Sequence, residues 1–192
     1  GMSLLFGVSG TTILAGIGEA VGSDAGSVAA VTLGIVFVVA GFGFKVSAAP
    51  FHTWAPDVYE GAPTPVTAFL SVASKTAGFV ALLALVFVGF YGRADVWEPL
   101  VWVLSAASMT IGNLVALRQT NMVRLMAYSG VAQTGFMIAP LAVAGHSVAT
   151  GDQALSATVT YLAIYAAMNL GVFAVVITLA RRTGSAEISS YA

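Results

Sequence analysis

Long apolar runs alternate with short polar connections along this chain. The runs cover 27–49, 66–91, 98–117, 124–144 and 156–180. A helix that crosses a bilayer needs about 20 mostly apolar residues, so the pattern predicts five complete spans. The connections hold Gly, Asp, Arg, His and Thr, which suit loops. Residues 1–15 (GMSLLFGVSGTTILA) read as the tail of a further spanning helix and lack the basic region and cleavage site of a signal peptide. SAEISSYA, after Arg181 and Arg182, is a soft polar stretch, and both termini read as cuts in a longer chain. No linker or fixed-period repeat divides the sequence. One all-α integral membrane domain over 1–192 is therefore expected, a polytopic transmembrane helix bundle.

Composition agrees. Charged residues make up 8% of the chain and hydrophobic ones 58%, against about 25% charged in an average soluble domain. So few charges could not cover the surface of a soluble domain, whereas lipid accepts apolar side chains. A net charge of −1 gives no ground for a nucleic-acid partner. The chain has no cysteine, which excludes disulfides, thiolate catalysis and Cys-ligated iron–sulfur or zinc sites within it. His52 and His146 stand far apart, so no metal cluster is expected, and no cofactor site is read in this chain. GFG at 41–43 follows no strand and reads as helix-packing glycine rather than a phosphate loop. Arg118, Arg124, Arg181 and Arg182 share one side by alternation, with Arg93 alone opposite. The bias of basic residues makes the four-arginine side cytoplasmic and leaves Asp24, Asp95 and His146 outside.

Two charges do not belong in lipid. Lys45 and Lys75 lie well inside apolar runs, where an ionisable side chain is costly and marks a functional site. Lys75 stands 12 positions after Pro63, about 18 Å along a helix, near the middle of a bilayer core about 30 Å thick. Thr67, Ser71, Ser74, Lys75 and Gly78 recur at helical spacing as a small and polar stripe facing the bundle. A lysine that only pairs with a carboxylate for packing is the structural alternative. For Lys45 the context is a break. A helix running from 27 to about 60 would be too long for one crossing, and Pro50 can neither donate to the Val46 carbonyl nor avoid clashing with it. A helix broken at Pro50 would end near Lys45 with unpaired carbonyls and the negative end of its dipole, which favours a cation. Discontinuous helices of this kind build ion sites in transporters. A simple proline kink beside a lysine bound for the interface is the other possibility.

Residues 50–66 (PFHTWAPDVYEGAPTPV) carry four prolines and predict a rigid re-entrant or interfacial hairpin. Trp54 and Tyr59 fit an aromatic belt, and Asp57 and Glu60 fit solvent. His52 is either a satisfied structural residue or a proton relay. Gln133 shares helical spacing with Ser129, Phe136 and Met137. It cannot titrate but can hold water in a polar seam. Tyr161, Tyr165 and Asn169 line one face of the last run, where polar contacts between helices account for them. Asn113, Arg118 and Arg124 read as interfacial anchors.

Residues 44–69, FKVSAAPFHTWAPDVYEGAPTPVTAF, resemble the signature of the antiporter-like subunits of respiratory complex I, in the branch of the N subunit of NADH:quinone oxidoreductase. LRQTNMVRLMAYSGVAQTGFM (117–137) and YLAIYAAMNLGVFAV (161–175) are similar to later stretches of that family. The likeness covers essentially the whole chain, and the first motif is the specific one. It implies a proton-translocating module of fourteen helices, of which this chain is about the sixth to the eleventh. The family's central lysine on a broken helix falls on Lys45, and its second, mid-membrane proton carrier falls on Lys75. An acidic partner of the first lysine would lie upstream and a third lysine downstream. Many members carry His where Gln133 stands, a departure that favours a water-filled passage over a side-chain relay there.

The resemblance also implies a multi-pass subunit of the bacterial cytoplasmic membrane, with other membrane subunits of complex I and the lipid bilayer as partners. Quinone would be met only indirectly, because flavin, iron–sulfur and quinone sites lie elsewhere in such an assembly. A subunit of a multisubunit cation/proton antiporter is the alternative function, and a passive scaffold is disfavoured by two buried lysines and a proline break.

Overall fold

A computed structural model describes residues 1–23 and 28–191; Asp24 and Ser27 lie outside the described residues. Two short helices come first, α1 (Met2–Ser9) and α2 (Leu14–Gly22). They meet at 73°, because Gly10 ends α1 in the left-handed region at φ 67°. The expected tail of one spanning helix over 1–15 is thus a bent pair reaching Gly22. α3 (Val28–Lys45) is followed by the connection 46–53 and the short α4 (Trp54–Gly61). α5 (Thr64–Phe69) passes through a π turn at Leu70–Ser74 into α6 (Lys75–Ala84), and a second π turn at Leu85–Gly89 ends that crossing. α7 (Ala94–Ala116), α8 (Met122–Ile138) and α9 (Val148–Thr183) complete the bundle.

Among the described residues, five helices are long and apolar enough to cross a membrane, as the run pattern predicts. Their outer faces expose Phe37, Phe69, Trp102 and Ile164, the arrangement that a lipid surrounding permits. The bundle interior is built on Ile35, Phe79, Val86, Trp97, Met137 and Leu141. Small residues bring helices together. A Cβ on Gly112 of α7 would stand 2.5 Å from the backbone nitrogen of Ala132 on α8, so only glycine allows that approach. α9 has 36 residues, about 54 Å at the helical rise, and so outruns a single bilayer core.

The ends of the helices sort as the alternation predicts. An isolated bridge pairs Asn121, which caps α8, with Glu187 beyond the end of α9. Arg118, Arg124, Arg181 and Arg182 therefore lie at one end of the bundle, and Arg93 opens α7 at the other. Asp57 and Glu60 are not merely solvated: both accept from Arg124 Nη1, at 2.8 and 2.7 Å, which ties α4 to the start of α8.

Candidate functional site

The break beside Lys45 differs in detail from the proline argument. α3 stops at Lys45 itself, five residues before Pro50, and Pro50 sits within the connection. Ser47 adopts φ 62°, and its N–H reaches the Phe44 carbonyl while Ala48 N–H reaches that of Gly43. That pair of bonds is the Schellman turn that closes many helices. The Phe44 carbonyl also accepts from Trp54 Nε1 at 2.9 Å, and the Val46 carbonyl accepts from Thr134 Oγ1 at 2.8 Å. The expectation of unpaired carbonyls at this end is therefore corrected for Gly43, Phe44 and Val46, whose carbonyls are taken up by capping bonds, α4 and α8. Ala49 N–H donates to Ser108 on α7 and pins the connection. Pro50 explains why the helix cannot resume at once, because its ring and missing N–H forbid a further turn.

The expectation that both lysines are buried is corrected for Lys45, which is exposed and lines a cleft with Met2, Phe37, Val38 and Phe42. Its Nζ donates to Ser74 Oγ at 3.0 Å. Ser74 ends the π turn, and the next residue is Lys75. A π turn widens the helix by one residue and recurs at functional sites. Here it delivers Ser74 toward α3 and Lys75 toward α8.

Lys75 is 4% exposed. Its Nζ donates to the Gly130 carbonyl at 2.7 Å and to Thr134 Oγ1 at 3.0 Å, and it lies 5.7 Å from the centre of the Tyr165 ring. Among the described residues Lys75 makes no ion pair. Thr134 joins the two lysine environments, since its hydroxyl accepts from Lys75 and lies against the Val46 carbonyl at the end of α3. Thr67, Ser71 and Gly78 are buried on the same side of α5 and α6, as the stripe predicts, and Asn169 of α9 donates to Ser71 at 2.7 Å.

The other candidates lie apart. His52 is buried, with Nδ1 unpartnered among the described residues and its ring edge-on to Tyr128 at 6.0 Å, and burial in the connection holds its imidazole below the usual pKa. Gln133 accepts from the Tyr161 hydroxyl rather than meeting Lys75. On α8 the residues that meet Lys75 are the buried Gly130 and Thr134, whereas of the residues expected beside Gln133, Met137 is buried and Phe136 is 41% exposed. Sequence reasoning missed Gly130, Thr134 and the placing of the Tyr165 ring beside Lys75. The signal was present in the Gly130-to-Thr134 spacing, a small-residue step that lets a lysine reach backbone on the neighbouring helix.

The comparisons with known proteins follow the same lines. The pattern of a family described as NADH:quinone oxidoreductase/Mrp antiporter, TM matches residues 1–192. NADH-quinone oxidoreductase subunit N of Desulforamulus reducens is 45% identical over the whole chain, which covers 39% of that protein. NAD(P)H-quinone oxidoreductase subunit 2 of Prochlorococcus marinus is 50% identical over the whole chain, which covers 35% of it. The chain thus spans little more than a third of these relatives. A chain of respiratory complex I from Thermus thermophilus superposes with a TM-score of 0.60 at 34% identity, over 87% of this chain and 35% of that one. An archaeal membrane-bound sulfane sulfur reductase shares the fold, with a TM-score of 0.80 at 24% identity over 98% of this chain and 37% of that one. The chain belongs to the NADH:quinone oxidoreductase/Mrp antiporter family of membrane proteins.

Proposed function

We propose that this chain is part of a proton-translocating membrane subunit of an NADH:quinone oxidoreductase, about the sixth to eleventh of fourteen helices. Protons pass by way of Lys45, Lys75 and water, and quinone reduction elsewhere in the complex drives them. The observation that carries this is Lys75. An ammonium buried among helices without a carboxylate is expensive, and its partners are neutral oxygens that serve the amine form as well. A group held in that way can lose its proton without breaking an ion pair. Lys45, one hydrogen bond from Ser74 and open to a cleft, is suited to exchange protons with a partner outside these residues.

His52 and Gln133 have separate parts in this account. Gln133 and Tyr161 hold water in a polar seam, and His52 is a buried group that supports the break. The natural setting is a multi-pass subunit of the bacterial cytoplasmic membrane, packed against other antiporter-like subunits and touching quinone chemistry only indirectly. A subunit of a multisubunit cation/proton antiporter is the second reading, which the breadth of the matched family favours. The names of the curated relatives favour the quinone oxidoreductase.

The test is Lys75→Ala in the full-length subunit within its complex. Assembly should survive, since alanine suits a membrane helix, while proton pumping in vesicles and the coupled quinone reductase rate should both fall. Normal pumping by an intact complex would reduce Lys75 to a packing residue.

A further inference from the structure

We infer that Tyr165 is a positioning residue for the proton on Lys75, and that its hydroxyl passes that proton into a seam between α8 and α9. The inference rests on the proton-translocating function proposed above. Three observations meet here. The Tyr165 side chain is 2% exposed overall, yet among the described residues its hydroxyl has no hydrogen-bond partner. A buried hydroxyl left without a partner is costly, and such groups call for an explanation. Its ring lies 5.7 Å from Lys75 Nζ, within the range at which an aromatic face attracts an ammonium. Finally, a Cβ on Gly130 would lie 3.3 Å from Lys75 Nζ and 3.4 Å from the Tyr165 hydroxyl. The lysine and the phenol therefore converge on one spot, and glycine keeps side-chain bulk out of it.

Antiparallel register extends the path. On α8 the step from Gly130 to Gln133 runs toward the Arg93 end, and on α9 so does the step from Tyr165 to Tyr161. Those two steps end on the hydrogen-bonded pair Gln133–Tyr161, and one turn further Thr158 donates to the Met137 carbonyl at 3.2 Å. From Tyr165 to Thr158 the seam covers about 10 Å of helix. In the transfer, Lys75 goes from ammonium to amine. A water molecule in the gap beside Gly130 takes that proton from Nζ and hands one on to Tyr165 Oη, which gives its own hydrogen to a second water in the seam, leaving a hydronium there and the neutral phenol behind. No charge stays on the tyrosine.

Tyr165→Phe in the assembled complex separates ring from hydroxyl. The ring and its attraction for Lys75 stay, so assembly should match the parent. Pumping should fall about tenfold, below the range typical of a lost acid–base group because water offers a bypass. The ratio of turnover in H2O to that in D2O should rise, a readout that packing alone does not move. Gly130→Ala is the second variant: its methyl enters the gap, and pumping should fall with assembly retained. Parental pumping and an unchanged isotope ratio in Tyr165→Phe, or normal pumping in Gly130→Ala, would overturn the inference. Lys75→Ala distinguishes the two levels. If it is impaired while Tyr165→Phe is not, only the role of Tyr165 falls; if it pumps normally, the proposed function falls and takes this role with it.

Discussion

Lys45 and Lys75 sit on adjoining helices, yet their surroundings are opposite. Lys45 ends a broken helix, reaches one serine and faces an open cleft. Lys75 lies inside an unbroken crossing, with both of its hydrogen-bond partners on α8 and an aromatic face beside it. A group in the first setting is controlled by what comes to it from outside. A group in the second has neutral oxygens already in place as its hydrogen-bond partners. The contrast assigns them different tasks on the proposed function: Lys45 loads, and Lys75 carries inward. Thr134 stands between them, bonded to Lys75 and to the end of the helix that bears Lys45.

Substitutions around the lysines sharpen that difference. Thr134→Val keeps the shape but removes one of the two acceptors for Lys75 and the donor for Val46. A hydrogen bond to a charged group is worth about 1.5–3 kcal/mol, so pumping should drop about tenfold in vesicles containing the intact complex. Pumping close to the parental rate would mean that the two environments are not linked through this hydroxyl. Arg124→Gln comes next. It frees Asp57 and Glu60 and loosens α4 from α8, but all three side chains are partly exposed. Exposed ion pairs contribute about 1 kcal/mol or less each, so thermal unfolding of the complex should shift slightly downward. High salt should shrink that shift. Ser74→Ala should do least, changing pumping by less than about threefold, because an exposed lysine regains its hydrogen bond from water. A loss as large as that from Thr134→Val would show that Lys45 is as closely controlled as Lys75.

Much of this was legible in the sequence. Run lengths gave the five crossings, and arginine spacing gave the shared end. The cost of charge in lipid singled out Lys45 and Lys75. The details that failed depend on what neighbouring helices supply. Pro50 indicates a break but not where the helix stops, because Ser47 in the left-handed region and the capping bonds decide that. The carbonyls left by the break found partners in Trp54 and Thr134, both distant along the chain or across a turn. The π turn at 70–74 leaves no mark in hydrophobic periodicity, since one inserted residue only shifts the phase of the stripe. Gln133 stands out by its helical spacing and by the histidine that many family members carry there, whereas the smaller Gly130 and Thr134 touch the lysine. Size, not polarity, was the relevant signal there.

The central claim is that these lysines act by releasing a proton, and Lys45→Arg tests it most directly. Arginine keeps the positive charge at the end of α3 but does not deprotonate near neutral pH. Measured in vesicles with the complex fully assembled, proton pumping by this variant should be strongly impaired, as in Lys45→Met. Near-normal pumping with arginine and loss with methionine would contradict the account, leaving Lys45 as a fixed charge that anchors the break.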